Sequence, residues 1–346
     1  MILKHLARFL PKLVVGAFVA CALPSSATDS EPVFVDIAAG WAHACALERE
    51  SRVWCWGNAV LNGHEADSEE LVPVRGLDDI KAIFAGPLGT CAVNSIGRAV
   101  CWGADFQQTE ERGELVDSAQ PFEVEGLPPV TQIAIGYVHV CGLSIVGDVY
   151  CWGQNPRGEL GNGTDRGSAV PLKVQGIKKA VVIGAGVNNT CAVEAGGAVS
   201  CWGTDNQGIG SGAGFVINSK VPQFVPNIRD IRAVANGRNY VCGLNRGGGV
   251  QCWGSTLAMP TQDSPQIRLP IVQMDVGAFK GCVVYQGGTL QCWNYDDRTP
   301  RVDARLKKVR KVSVGGDVNA CVLLASGSVH CLEKDGDYKK IVLPPG

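Results

Sequence analysis

Short runs of alternating apolar and polar residues, broken by glycine, recur along most of the chain. Cys141-Gly142-Leu143 and Val149-Tyr150-Cys151 lie on either side of Gly147. The same arrangement returns about Gly97, Gly197, Gly248, Gly288 and Gly327, with Ser51 in the first copy. A period of two on both sides of a glycine turn predicts a β-hairpin, because successive side chains of a strand point to opposite faces. A further apolar strand precedes each hairpin, as in Ile80 to Ile83, Ile133 to Ile135 and Val312 to Val314. Ahead of that strand lies a Pro-x-x-Val segment, seen at Pro73-Val74, Pro121 to Val124, Pro171 to Val174 and Pro222 to Val225. Four short strands in a unit of this length are what one propeller blade requires.

Cysteines count the blades. Cys45 and Cys55, Cys91 and Cys101, Cys141 and Cys151, Cys191 and Cys201, Cys242 and Cys252, Cys282 and Cys292, and Cys321 and Cys331 all keep a separation of ten. Successive first members lie 46, 50, 50, 51, 40 and 39 residues apart. One unit has been copied seven times. With the turn midway, the two cysteines of a pair stand opposite each other at a Cα separation of about 4.5–5.5 Å, within the roughly 4.4–6.8 Å that a disulfide tolerates. The simplest pairing is therefore a staple across each hairpin. A glycine stands five residues before the first cysteine in every copy: Gly40, Gly86, Gly136, Gly186, Gly237, Gly277 and Gly316. It supplies either a positive φ or room for another backbone.

The expected fold is an all-β, seven-bladed β-propeller with one disulfide per blade. The first copy begins at Pro32-Val33-Phe34 with no Pro-x-x-Val strand before it, and Lys340-Ile341-Val342-Leu343-Pro344 is left over after the last cysteine. The C-terminal strand is therefore expected to fill the gap in the first blade and close the ring.

Residues 1–27 read as a signal peptide and 28–346 as the propeller domain. Lys4, Arg8 and Lys12 precede an apolar stretch from Leu13 to Leu23, and Pro24-Ser25-Ser26-Ala27 offers a small-residue cleavage site. That stretch is too short to span a bilayer. An export signal with seven pairable cysteine sets predicts a secreted or periplasmic protein; lipid attachment at Cys21 is the minority alternative.

Removing residues 1–27 leaves 28 basic against 33 acidic residues, a net charge of −5. That balance lacks a nucleic-acid footprint. Acidic residues crowd the first two units (Glu69, Glu70, Asp78, Asp79, Glu110, Glu111), and basic ones the boundary before the seventh (Arg298, Arg301, Arg305, Lys307, Lys308, Arg310, Lys311). Solvated loop charge and a steering patch both fit this distribution.

The stretch His139-Val140-Cys141-Gly142-Leu143, followed by Val149-Tyr150-Cys151-Trp152-Gly153-Gln154-Asn155 and Gly158-Glu159-Leu160-Gly161-Asn162-Gly163-Thr164, resembles the regulator of chromosome condensation (RCC1-like) repeat. The resemblance covers 31–346 and is worn in units six and seven. It implies a seven-bladed propeller, and the paired cysteines resemble the secreted bacterial branch of that family. Nucleotide exchange on a nuclear GTPase is not carried over, since no exchange wedge is found.

No catalytic set assembles from the five histidines. Cysteines ten apart are too distant for the usual zinc spacing, and the glycine-rich pieces lack the lysine of a phosphate loop. No cofactor is expected. The residues between the repeated glycine and the first cysteine do vary: Trp41-Ala42-His43, Pro87-Leu88-Gly89, Tyr137-Val138-His139, Val187-Asn188-Asn189, Arg238-Asn239-Tyr240, Ala278-Phe279-Lys280 and Asp317-Val318-Asn319. On a strictly repeated scaffold, such variation is expected of a binding rim. Binding candidates are Trp41, His43, Tyr137, His139, Asn188, Arg238, Tyr240, Phe279 and Lys280. Aromatic residues at corresponding places contact the target in propeller-type β-lactamase inhibitory proteins, and by that resemblance Trp41, Tyr137, Tyr240 and Phe279 lead. The expectation is a monomeric protein-binding module with a protein partner and without catalytic activity. An extracytoplasmic hydrolase or lyase and an architectural surface protein are the alternatives.

Overall fold

In a computed structural model, residues 33–64, 66–108, 115–204, 218–238, 240–254, 270–294, 299–316, 320–332 and 337–342 are described. Residues 1–27, read above as a signal peptide, lie outside them. The described residues form seven antiparallel sheets and no helix. The first blade is β1 (Phe34–Ala39), β2 (His43–Glu48), β3 (Val53–Gly57) and β4 (Ser68–Pro73), hydrogen-bonded in that order. The other blades repeat this order from the axis outward; among the described residues the fifth has three strands.

The cysteines of each pair are direct cross-strand partners in the hairpin of the second and third strands. All seven expected disulfides are present. Cys45 is bonded to Cys55, Cys91 to Cys101, Cys141 to Cys151 and Cys191 to Cys201. Cys242 is bonded to Cys252, Cys282 to Cys292 and Cys321 to Cys331. One detail is corrected: their Cα atoms are 4.0–4.1 Å apart, closer than the spacing expected of directly opposed residues.

The sulfur atoms are part of the interior, but not to the same depth in every blade. Cys101, flanked on its outer side by Phe122 of the fourth strand, is fully buried and packs with Val93, Ile133 and Trp152. Cys252, in the blade with three described strands, is half-buried, as are Cys292 and Cys331. The core between blades three and four packs Cys141, Leu143, Val149 and Cys151 against Ile183, Ala192 and Trp202. These cysteines staple the scaffold. Seven disulfides fit an oxidising, extracytoplasmic setting. The hairpin glycine does need a left-handed backbone: Gly97, Gly147, Gly197, Gly248, Gly288 and Gly327 have φ of 81–88°, and Ser51 takes φ 69° in the first blade.

Two larger expectations are also corrected. The Pro-x-x-Val segment follows its hairpin as the outer strand of the same blade instead of opening the next one: Cys55 pairs with Val72 and Cys151 with Leu172. The first blade therefore lacks nothing. The C-terminal strand Tyr338–Ile341 pairs with Val329–Leu332 of the seventh blade, not with the first. Each described blade is a contiguous segment, and the ring is closed by lateral packing. Phe34, Ile37 and Leu71 of blade one share a core with Cys321, Leu323 and Val329 of blade seven. Ala39 N–H donates to Ser313 Oγ at 3.0 Å, Phe34 N–H to the Gly327 carbonyl at 3.0 Å, and Lys311 pairs with Asp36. Arg310 donates to the Val35 carbonyl. Part of the basic run before the seventh blade thus holds the wheel shut.

Candidate functional site at the channel mouth

The innermost strands ring an axial cavity of about 270 Å³. Each presents an unpaired edge to the axis, and side chains of neighbouring blades satisfy several of the free backbone groups, as buried polar groups require. Gln132 clips onto Ile183, donating to its carbonyl at 2.8 Å and accepting its N–H at 3.0 Å. Gln273 treats Val312 the same way at 3.0 Å in both directions. Asp275 accepts Val314 N–H at 2.8 Å, and burial pushes its carboxyl up to about 6.

At one mouth the repeated glycines form a tight collar. A Cβ on Gly186 would lie 2.6 Å from the Gly237 carbonyl oxygen, and one on Gly136 would lie 2.7 Å from that of Gly186. These glycines have no left-handed φ, so close approach is the reason for them. In the seventh blade the collar residue is Gly315, which follows the strand Val309–Val314 and packs on Gly40; Gly316, the glycine aligned from the sequence, is one position further on.

Beyond the collar, the variable residues divide by position. The third after the glycine turns inward to the next blade. His43 Nε2 bonds Thr90 Oγ1 at 2.7 Å, and His139 Nε2 bonds Thr190 Oγ1 at 2.7 Å. Tyr240 O–H donates to the Gly277 carbonyl at 3.4 Å. All three side chains are buried, at 1% exposure or less. Desolvation pushes the His43 imidazole down to about 4 and that of His139 to about 3, so both are neutral. Asn189 takes the same place in blade four and accepts from Asn236 Nδ2 at 2.7 Å. Lys280, the sixth-blade equivalent, lines a separate cavity of about 510 Å³ with Arg301, Asp303 and Tyr338, and burial lowers its ammonium pKa. His43, His139 and Tyr240 therefore join blades and offer no surface to a partner.

Several residues of the first and second positions are at least partly exposed, although Ala278, in the first position of blade six, is buried. Trp41 and Tyr137, from blades one and three, meet with ring centroids 5.3 Å apart. Arg238, exposed, lies over the Phe279 ring at 5.7 Å. Trp41 and Arg238 line the same mouth together with Pro87 and Val187, which the sequence reading left out although they occupy the same repeat position. Asn188 is half-buried, and its carbonyl accepts Thr204 N–H at 2.9 Å. The rim is carried by a stiff frame. Trp202 Nε1 donates to the Glu159 carbonyl at 2.7 Å and Trp102 Nε1 to the Leu61 carbonyl at 3.2 Å, so each of these tryptophans anchors a loop of the preceding blade. Among the described residues no cluster of three or more His, Cys, Asp or Glu could hold a metal ion, and no helix is long and apolar enough to cross a membrane.

The model of the regulator of chromosome condensation (RCC1) repeat matches residues 146–193, and a second model of that repeat matches 34–62 and 130–159. No curated protein matches the chain by sequence. Among solved structures, Prp20p from Saccharomyces cerevisiae, described with its binding to Gsp1p and histones, is 18% identical with a TM-score of 0.68, over 82% of this chain and 80% of that one. Human WBSCR16 is 17% identical with a TM-score of 0.71, over 84% and 86%. The CRINKLY ectodomain of the Arabidopsis thaliana receptor kinase ACR4 is 17% identical with a TM-score of 0.58, over 90% and 100%. These likenesses show a shared fold.

Proposed function

We propose that this chain, an RCC1-like repeat protein, is an exported, non-catalytic protein-binding module of the secreted bacterial type. Its contact surface is the collar mouth. The observation that carries this reading is the pair of outward clusters, Trp41 with Tyr137 and Arg238 with Phe279, on a frame whose other positions repeat. Tryptophan, tyrosine and arginine dominate binding energy at protein interfaces, and here they are presented by short loops on a cross-linked scaffold, which limits the entropy lost on binding. Prp20p, which shares the fold, binds Gsp1p and histones, and the fold also occurs in a receptor-kinase ectodomain. Export rests on the signal-like residues 1–27 together with the seven disulfides.

The test compares capture from the native extracellular or periplasmic fraction by the mature protein and by a Trp41→Ala, Tyr137→Ala, Arg238→Ala, Phe279→Ala variant of equal thermal stability. The expected result is a saturable partner held by the first and lost by the second. Equal capture by both removes this mouth as the contact surface. Amino-terminal sequencing of the exported chain is expected to begin just after Ala27; a start at Met1 would reject the export reading.

A further inference from the structure

On the face opposite the collar, each blade ends in the tip of its cross-linked hairpin. The two residues at the tip are Arg49-Glu50, Ser95-Ile96, Ile145-Val146, Ala195-Gly196, Arg246-Gly247, Gln286-Gly287 and Ala325-Ser326. Five of the seven are small, polar or charged, as a solvated turn should be. Blades two and three depart from this: Ile96, Ile145 and Val146 are aliphatic and 62%, 64% and 70% exposed. The connection beside them is also apolar, with Leu127 and Pro128 half-buried and Pro129 exposed.

These residues form one row, whose order is fixed by backbone contacts. Ser95 N–H donates to the Asp79 carbonyl at 3.1 Å, Val130 N–H to that of Gly97 at 2.8 Å, Ile145 N–H to that of Pro129 at 3.0 Å, and Ala180 N–H to that of Gly147 at 2.9 Å. The row therefore runs Asp79, Ile96, Pro129, Ile145, Val146, Lys179. Asp78 extends its acidic end and Lys178 its basic end. Asp79 is held by Lys81 and Ser95, whereas Asp78, Lys178 and Lys179 are exposed and make no ion pair among the described residues. The other exposed charges of these connections, Arg75 and Glu125, lie two residues beyond the ends of the outer strands, at the opposite end of the connection from Asp79 and Pro129.

We propose that this row is a homodimer interface, occupied by a second copy of the chain related by a two-fold axis through the Pro129–Ile145 region. A two-fold interface must be complementary to itself. A row that is acidic at one end, apolar in the middle and basic at the other meets that requirement: in antiparallel overlay Asp78 of one copy faces Lys178 and Lys179 of the other, while the aliphatic tips leave water together. Exposed aliphatics clustered at positions that are otherwise polar mark such contacts. The dimer leaves both collar mouths free and facing apart, so it goes beyond the binding surface proposed above and is tested separately from it.

Sedimentation equilibrium of the mature protein from about 1 to 200 μM spans the affinities expected of a small interface. The expected result is a mass rising from one chain toward two, with dissociation favoured by salt. Val146→Glu, at an exposed turn, is expected to weaken association by at least about tenfold without lowering thermal stability. Asp78→Lys and Lys178→Glu are each expected to weaken it about threefold to tenfold, and their combination is expected to return it to within about threefold of the wild type. A chain that stays monomeric throughout, or a dimer indifferent to Val146→Glu, overturns the proposal. Loss of association with Val146→Glu but no rescue by the double reversal overturns the two-fold arrangement.

Discussion

Three of the glycines of blade four, Gly186, Gly196 and Gly197, lie in three physical settings, and replacing each by alanine separates close packing from backbone conformation as the reason for glycine. At Gly186 the new Cβ would lie 2.6 Å from the Gly237 carbonyl oxygen, with Asn189 at 3.1 and 3.2 Å. Ordinary contact begins near 3.4 Å, so the ends of two neighbouring inner strands must part by about 0.8 Å. Gly237 is itself packed on the Tyr240 ring, which leaves little slack. Overpacking of this kind costs about 1–3 kcal/mol, less the roughly 0.4–1 kcal/mol gained by restricting the unfolded chain. Gly197→Ala meets a φ of 81° and the Asp230 Cα at 2.8 Å, and is expected to lose about 1–2 kcal/mol from backbone strain alone. Gly196→Ala meets nothing within 4 Å and is expected to be neutral or stabilising by up to about 1 kcal/mol. The assay is thermal unfolding under non-reducing conditions. For a domain of this size each kcal/mol moves Tm by about 2 °C, so Gly186→Ala is expected to melt about 3 °C, and at most about 5 °C, below the wild type. A Gly186→Ala protein as stable as Gly196→Ala would refute the close-packed collar.

Further outcomes follow from the joints between blades. A His43→Asn, His139→Asn variant imitates Asn189. The wild-type imidazoles titrate near 6.5 when unfolded but at about 4 and about 3 when folded. The stability they contribute is therefore complete above pH 6.5 and falls as the pH drops toward 4, because the unfolded chain takes up protons that the fold refuses. The stability advantage of the wild type over the variant is expected to shrink by about 3 kcal/mol or more between pH 7 and pH 4; an advantage constant with pH rejects the neutral, buried assignment. Asp275, raised to about 6, works in the opposite sense, stabilising as pH falls from about 6 to 4, but it is common to both proteins and cancels. Replacing Cys191 and Cys201 together by alanine is expected to cost about 2–3 kcal/mol, read as a lower denaturant midpoint. Deleting residues 337–346 is expected to raise amide exchange in Val329–Leu332 while Val53–Gly57 stays protected; first loss of protection in Val53–Gly57 would contradict the seventh-blade placement of the C-terminal strand.

Blade number, strand type and disulfide pairing were legible in the sequence because each rests on local geometry. A glycine turn midway between two cysteines puts them opposite each other whatever surrounds the hairpin, and seven copies at one spacing count the blades. How deeply each bridge is buried was not legible. Cys101 and Cys252 hold the same place in their hairpins, yet the first is fully buried and the second half-buried, as are Cys292 and Cys331 in four-stranded blades. The same local reasoning could not decide where a blade begins. Strand–hairpin–strand repeats look identical whether the Pro-x-x-Val strand opens or ends the unit, and only the pairing of Cys55 with Val72 and of Cys331 with Lys339 resolved it.

The candidate rim was legible as a variable stretch, but its two faces were not. Trp41 and His43 are two residues apart, the first in the loop after β1 and the second at the start of β2. The first reaches Tyr137, two blades away, and the second vanishes against Thr90 of the next blade. Nothing in a single repeat encodes what its neighbour presents, so which side chains stay in water is decided when the blades meet. The aliphatic tips at Ile96, Ile145 and Val146 show the same limit: in sequence they are two turns 50 residues apart, and the wheel makes them adjacent. Sequence alone determined the cross-linked hairpin and how many times it is repeated, since those depend on contacts within about ten residues. Tertiary structure decided the closure, the collar and both surfaces, since these depend on contacts between wedges.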